Sequence, residues 1–145
     1  MPSQRVIRTI YTASMVLAAG LFAFHAFILM ETGNMIESIM EPVTSVIGKR
    51  ASDPLMLFLS FSILFITHML EALAWGLFFV RIGEMKSLDQ AVYFAGTSLT
   101  ALGYGDIILK NPWQRLGPVM ATNGILMYGC STAFLFLVIQ KLWAT

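Results

Sequence analysis

Residues 100–106 read Thr100-Ala101-Leu102-Gly103-Tyr104-Gly105-Asp106, and they lie between two long apolar runs. Two glycines flank a tyrosine, and a carboxylate follows at once. Glycine tolerates backbone dihedrals that other residues avoid, so such a run can turn its successive carbonyl oxygens toward one axis. Four strands of this kind around one axis would make a cage of oxygens that replaces the water around a small cation. The apolar flanks put the stretch at membrane depth. Non-helical backbone is tolerated there only where protein encloses it or where it lines water. One chain with three spans cannot enclose it, so closed cyclic symmetry is the economical solution.

At these residues the chain resembles the pore-loop potassium channels, whose selectivity filter reads Thr-Val-Gly-Tyr-Gly-Asp with Val often Ile or Leu. Upstream, Gln90-Ala91-Val92-Tyr93-Phe94-Ala95-Gly96-Thr97-Ser98-Leu99 is similar to the family's short pore helix, with Tyr93 and Phe94 at the paired aromatics that form a cuff around the filter. Downstream, Trp113-Gln114-Arg115-Leu116 is similar to the start of the inner helix, and Gly124 lies near the family's hinge glycine. The likeness covers residues 88–140 and does not account for the first third of the chain.

The resemblance implies a homotetramer of small bacterial-type subunits in a prokaryotic inner (plasma) membrane, conducting potassium passively. It assigns ion binding to Ala101, Leu102, Gly103, Tyr104 and Gly105, with potassium held at backbone carbonyls and no other cofactor. Leu102 and Tyr104 brace the strand, Thr100 faces the inner vestibule, and Asp106 sits at the mouth. Many members carry a pore-helix carboxylate behind the filter, where this chain has Thr97. One departure stands out: the family's filter threonine is Ala101 here, so the hydroxyl that completes the innermost ion site is missing. A weakly selective cation channel is therefore the alternative, and a non-conducting membrane subunit with a pore-like fold is another.

Composition agrees with a membrane chain. The 145 residues are 57% hydrophobic and 12% charged, against roughly 25% charged in an average soluble domain. The length suits one domain. A net charge of +1 leaves no basic stripe for a nucleic-acid partner. Cys130 is the only cysteine, so no intrachain disulfide can form. No nucleotide loop, Ser-His-Asp grouping or Cys-His cluster is present, and enzymatic chemistry is not expected.

The expected fold is all-α, with three transmembrane helices, a re-entrant pore helix and a filter loop. Residues 9–30 carry no formal charge and are long enough to cross, beyond the length of a signal-peptide core. In residues 31–54, Met35, Ile36, Ile39, Met40, Val43, Val46 and Ile47 recur at helical spacing. Pro42 interrupts that pattern, and Gly48 is a natural stop. This predicts a short amphipathic helix at the membrane interface. Pro54 suits the first turn of a second span over residues 55–80. Residues 88–100 are too short to cross, and residues 116–140 form the third span. The division is then 1–54, first span and linker, and 55–145, pore domain.

Polar groups inside the spans are the remaining candidates. His68 and Glu71 are three apart, hence on one helical face, and a carboxylate in lipid is costly and usually paired or functional. Glu71 is expected to support the back of the filter with His68 as its partner. A metal or proton role would need a third group, and His25 is the one available. Asn123, Gly124, Ser131 and Thr132 are candidates for the hinge and the water-filled cavity. The family orientation puts the N-terminus outside, with Arg5, Arg8, Arg81, Lys86, Lys110 and Arg115 on that side against Lys49, Arg50 and Lys141 inside. That distribution opposes the positive-inside rule and by itself favours the inverted insertion, whereas the family similarity favours the channel orientation, which is the one expected because the charge bias is spread over short segments.

Overall fold

The computed structural model describes residues 3–144. The described residues form helices α1 (Gln4–Ile47), α2 (Lys49–Arg81), α3 (Leu88–Leu99) and α4 (Leu116–Ala144), with a single 3-10 turn, Trp113–Arg115, leading into α4. Three helical stretches, α1, α2 and the last one from Trp113 on, are long and apolar enough to cross a membrane.

The first of these departs from expectation. α1 does not end near residue 30 but runs unbroken to Ile47, through Pro42. At 1.5 Å per residue it is about 66 Å long, roughly twice the ~30 Å hydrocarbon thickness. A proline inside a helix loses one hydrogen bond and crowds the preceding turn. Burial offsets that cost here. Ile36, Ile39, Met40 and Val43 pack with Met56, Leu57 and Leu59 of α2 and with Val138 and Leu142 of α4. The part of the apolar stripe from Met35 to Val43, read as an interfacial surface, is therefore covered by the protein's own helices, whereas Val46 and Ile47 remain exposed.

Gly48 joins α1 to α2 as predicted. Its dihedrals, φ 78° and ψ 153°, fall in a region open essentially to glycine alone. The Thr44 hydroxyl donates to Ser52 Oγ at 2.9 Å across this corner. Because Lys49 already starts α2, Pro54 lies inside the helix rather than at its first turn.

α3 is about 18 Å long, too short to cross. Ser87 caps its N-terminus, accepting from the Gln90 amide, and Asp89 complements the positive end of the helix. α3 packs chiefly on α2 and also on α4. The core between them is built from Trp75, Phe79, Phe94, Leu99, Leu116 and Met120. The start of α1 joins the same end of the molecule. The Tyr11 hydroxyl donates to the Pro112 carbonyl, and the Tyr11 and Trp113 rings lie 6.1 Å apart.

Candidate functional site

The chain leaves α3 through a left-handed turn. Ala101, Gly103 and Gly105 have φ of 58°, 51° and 79°, and Ala101 is the only non-glycine with positive φ among the described residues. Leu102 and Tyr104 thus have negative φ, and the sign alternates from residue 101 to 105. In a regular strand successive groups point to opposite sides. Alternating handedness instead turns successive peptide planes the same way. The donors are directed back toward α3: the Ala101 amide bonds to the Ser98 carbonyl and the Gly103 amide to the Thr97 carbonyl, both at 3.0 Å. A left-handed conformation at Ala101 costs roughly 1–2 kcal/mol, a cost glycine would not carry.

The two aromatics read as a cuff have different surroundings. Tyr93 donates to Asp106 Oδ2 at 2.7 Å, and Asp106 Oδ1 accepts from the Ile107 amide at 3.0 Å. The hydrogen bond from Tyr93 holds the Asp106 carboxyl below the usual aspartate range, and Asp106 in turn pushes the Tyr93 hydroxyl above its usual value. Phe94 is buried against Phe79 in an edge-to-face pair 5.4 Å apart. The Thr100 hydroxyl bonds to the Gly96 and Thr97 carbonyls, and the Thr97 hydroxyl to Phe94. Leu102 and Tyr104 are 59% and 67% exposed on the single chain.

Two glycines clamp α3 from either side. A β-carbon on Gly76 of α2 would lie 2.7 Å from Val92 Cγ2, and one on Gly124 of α4 would lie 2.0 Å from the Leu99 carbonyl oxygen. Small residues let helix backbones approach closely in membranes. Gly124, marked in the sequence as a hinge, thus has a packing role at the base of the loop. Gly76 was not singled out; one glycine in a long apolar run carries no signal until its neighbour is known.

A second polar constellation lies within the three long helices. Glu71 accepts from His25 Nδ1 at 2.8 Å through Oε1 and from His68 Nδ1 at 2.9 Å through Oε2. Ser131 Oγ lies 3.0 Å from Nε2 of both histidines. All four side chains are buried, and the Tyr128 ring stacks on His68 with centroids 4.0 Å apart. The pairing of His68 with Glu71 is as predicted. The rest differs. Both Glu71 oxygens are directed at histidines rather than at groups behind the filter, because α1 brings His25 against α2 at this level. Ser131, expected at the cavity, is instead enclosed between the two imidazoles. Asn123 is likewise buried, its amide 3.8 Å from Met127 Sδ, whereas Thr132 is exposed and bonds to the Tyr128 carbonyl. One ligand-capable atom from each of His25, His68 and Glu71 lies within 4.8 Å of the others, but each of the facing atoms already takes part in a hydrogen bond.

Three long apolar helices packed with a short helix and a glycine-rich loop define a helical membrane protein. A family model described as ion channel matches residues 56–141, more than half of the chain, and the chain belongs to this pore-loop channel family. No curated protein and no solved structure matches the chain significantly. The protein is thus a multi-pass integral membrane protein of the ion-channel class.

Proposed function

We propose that four copies of the chain surround one axis and form a passive, potassium-selective channel whose filter is residues 101–105. The observation that carries this reading is the alternation of φ sign along those residues, with the Ala101 and Gly103 amides bonded back to α3 carbonyls; such a backbone would present its carbonyls to one side. Carbonyl oxygens in a ring can replace the hydration shell of a potassium ion. The exposure of Leu102 and Tyr104 supports assembly, since such side chains brace a filter only when a neighbouring subunit covers them. The placement is a prokaryotic inner membrane, with catalysis excluded from the reading.

Purified protein in liposomes provides the test. Potassium flux well above sodium flux is the expected result, together with a tetramer by mass in detergent. A stable monomer, or equal fluxes of the two ions, overturns the reading. Equal fluxes would favour a weakly selective cation channel, to which the missing hydroxyl at Ala101 points. Absence of any flux from a stable tetramer would favour a non-conducting subunit.

A further inference from the structure

Glu71, His25, Ser131 and His68 close a ring of four hydrogen bonds: carboxylate to His25 Nδ1, His25 Nε2 to Ser131 Oγ, Ser131 Oγ to His68 Nε2, and His68 Nδ1 back to the carboxylate. Each bond needs one hydrogen. An ionised carboxylate only accepts, so both Nδ1 atoms carry hydrogen. A serine hydroxyl has one hydrogen to give. It can donate to one Nε2, and the other Nε2 must then donate to it. One imidazole is therefore protonated on both nitrogens. The other is neutral.

The charges follow from this count. One carboxylate and one imidazolium sum to zero. Removing the proton leaves a net negative charge and two bare Nε2 atoms competing for one hydroxyl hydrogen. Adding one leaves a net positive charge, and the hydroxyl hydrogen has no acceptor within the ring. Both changes place an uncompensated charge among membrane helices, which is costly.

We propose that these four side chains form a binding site for one proton, shared between His25 and His68, which latches α4 to α1 and α2. Each helix contributes: His25 from α1, His68 and Glu71 from α2, and Ser131 from α4. α4 also supplies Tyr128, stacked on His68. α3, packed on α2 and α4, carries Asp89 in its first turn and Tyr93, which is bonded to Asp106. Loss of the proton leaves Ser131 able to satisfy only one histidine, so the attachment of α4 weakens at alkaline pH. A divalent cation on the same side chains would sum to a net positive charge with the single carboxylate, whereas the proton gives neutrality. The site does not depend on what the pore conducts.

Glu71→Gln separates this site from a merely structural contact. A glutamine amide donates from nitrogen and accepts at oxygen. The ring then closes with four hydrogens and two neutral histidines. The variant keeps the bonds and loses the charge.

The test is 15N-histidine NMR of the full-length protein in lipid nanodiscs, with melting temperature recorded alongside. In the wild type one imidazolium per chain is expected, spread over both histidines. Its signal should stay constant from about pH 5 to pH 8, where an ordinary histidine loses its charge. Glu71→Gln is expected to melt like the wild type while its imidazolium signal is absent at the upper end of that range. The proposal is overturned if wild-type His25 and His68 titrate independently in the ordinary range, or if both are neutral at about pH 7. It is also overturned if Glu71→Gln retains the charge, or if a stoichiometric transition metal accompanies the protein and a chelator shifts the histidine signals. The wild-type spectrum decides the matter by itself if the variant does not fold.

Discussion

Gly124 brings α4 so close to α3 that a β-carbon at this position would lie 2.0 Å from the carbonyl oxygen of Leu99. The obstacle is backbone, which cannot rotate away as a side-chain tip can. Gly124→Ala must separate the two helices, at about 1–3 kcal/mol or more. Leu99 also ends α3, so the base of the loop at residues 100–105 moves with it. A lower melting temperature and reduced ion flux are expected. Gly76→Ala meets the Val92 Cγ2 methyl first, at 2.7 Å, and is expected to cost less. A Gly124→Ala protein that melts and conducts like the wild type would show that close approach is not the role of this glycine.

The bond between Tyr93 and Asp106 sets a pH window at the loop's C-terminal end. Asp106 titrates below its ordinary range, so its part of the interaction is fully present above about pH 4 and is lost as pH falls through the depressed value. Tyr93 titrates above its ordinary range, so its part is fully present below about pH 10 and is lost as pH rises through the elevated value. Between those limits the bond is constant. Tyr93→Phe removes the donor, and the acid-side loss should then begin at higher pH. The midpoint of acid inactivation in a flux assay measures this; an unchanged midpoint counts against a role for the bond in that range.

Local chemistry made much of this molecule legible. Gly103 and Gly105 flanking Tyr104 marked the loop, and the lengths of the apolar runs marked the spans. The short helix up to Leu99 followed from a segment too brief to cross. What escaped depends on distant parts of the chain meeting. His25 lies 46 residues from Glu71, and nothing in the spacing of either predicts that α1 presents one to the other. Ser131 was read toward the cavity because a serine in an apolar helix suits a water-lined face and a buried partner equally well. Pro42 signalled a helix end, and the packing of Ile36 and Met40 on α2 overrode it.

Two contacts of unequal weight can be compared near the far end of α4. Lys141 Nζ lies 2.9 Å from Glu37 Oε1, but both side chains are substantially exposed, and exposed ion pairs contribute little and are screened by salt. Met56 is fully buried beside Ile36, Val138 and Leu142. Met56→Ala should destabilise by about 2–5 kcal/mol, whereas Glu37→Gln should leave the melting temperature nearly unchanged. Melting curves of the two variants compare them directly. A larger loss for Glu37→Gln would reverse the order of importance.

Ala101 combines two effects that a substitution can separate. A hydroxyl here would add a ligand below the innermost ion position, where the resemblance puts threonine. A net polar contact of this kind is worth about 0.5–1.5 kcal/mol. The backbone opposes it, because φ is 58° and a β-branched residue is a genuine outlier in that region. The left-handed conformation costs roughly 1–2 kcal/mol for an unbranched residue, and branching adds crowding. The strain therefore matches or exceeds the gain, and Ala101→Thr is expected to lower stability without a clear gain in ion binding. Ala101→Ser brings the hydroxyl without the branch and should strengthen ion binding at that position, read as tighter barium block. Ala101→Gly relieves the strain without adding a ligand. It should raise the melting temperature slightly and leave block unchanged. If the channel is potassium-selective as proposed, that preference should persist in all three, since Leu102, Gly103 and Tyr104 are untouched. If Ala101→Thr binds barium more tightly than Ala101→Ser and melts no lower than the wild type, then residue 101 is not held left-handed in the conducting protein.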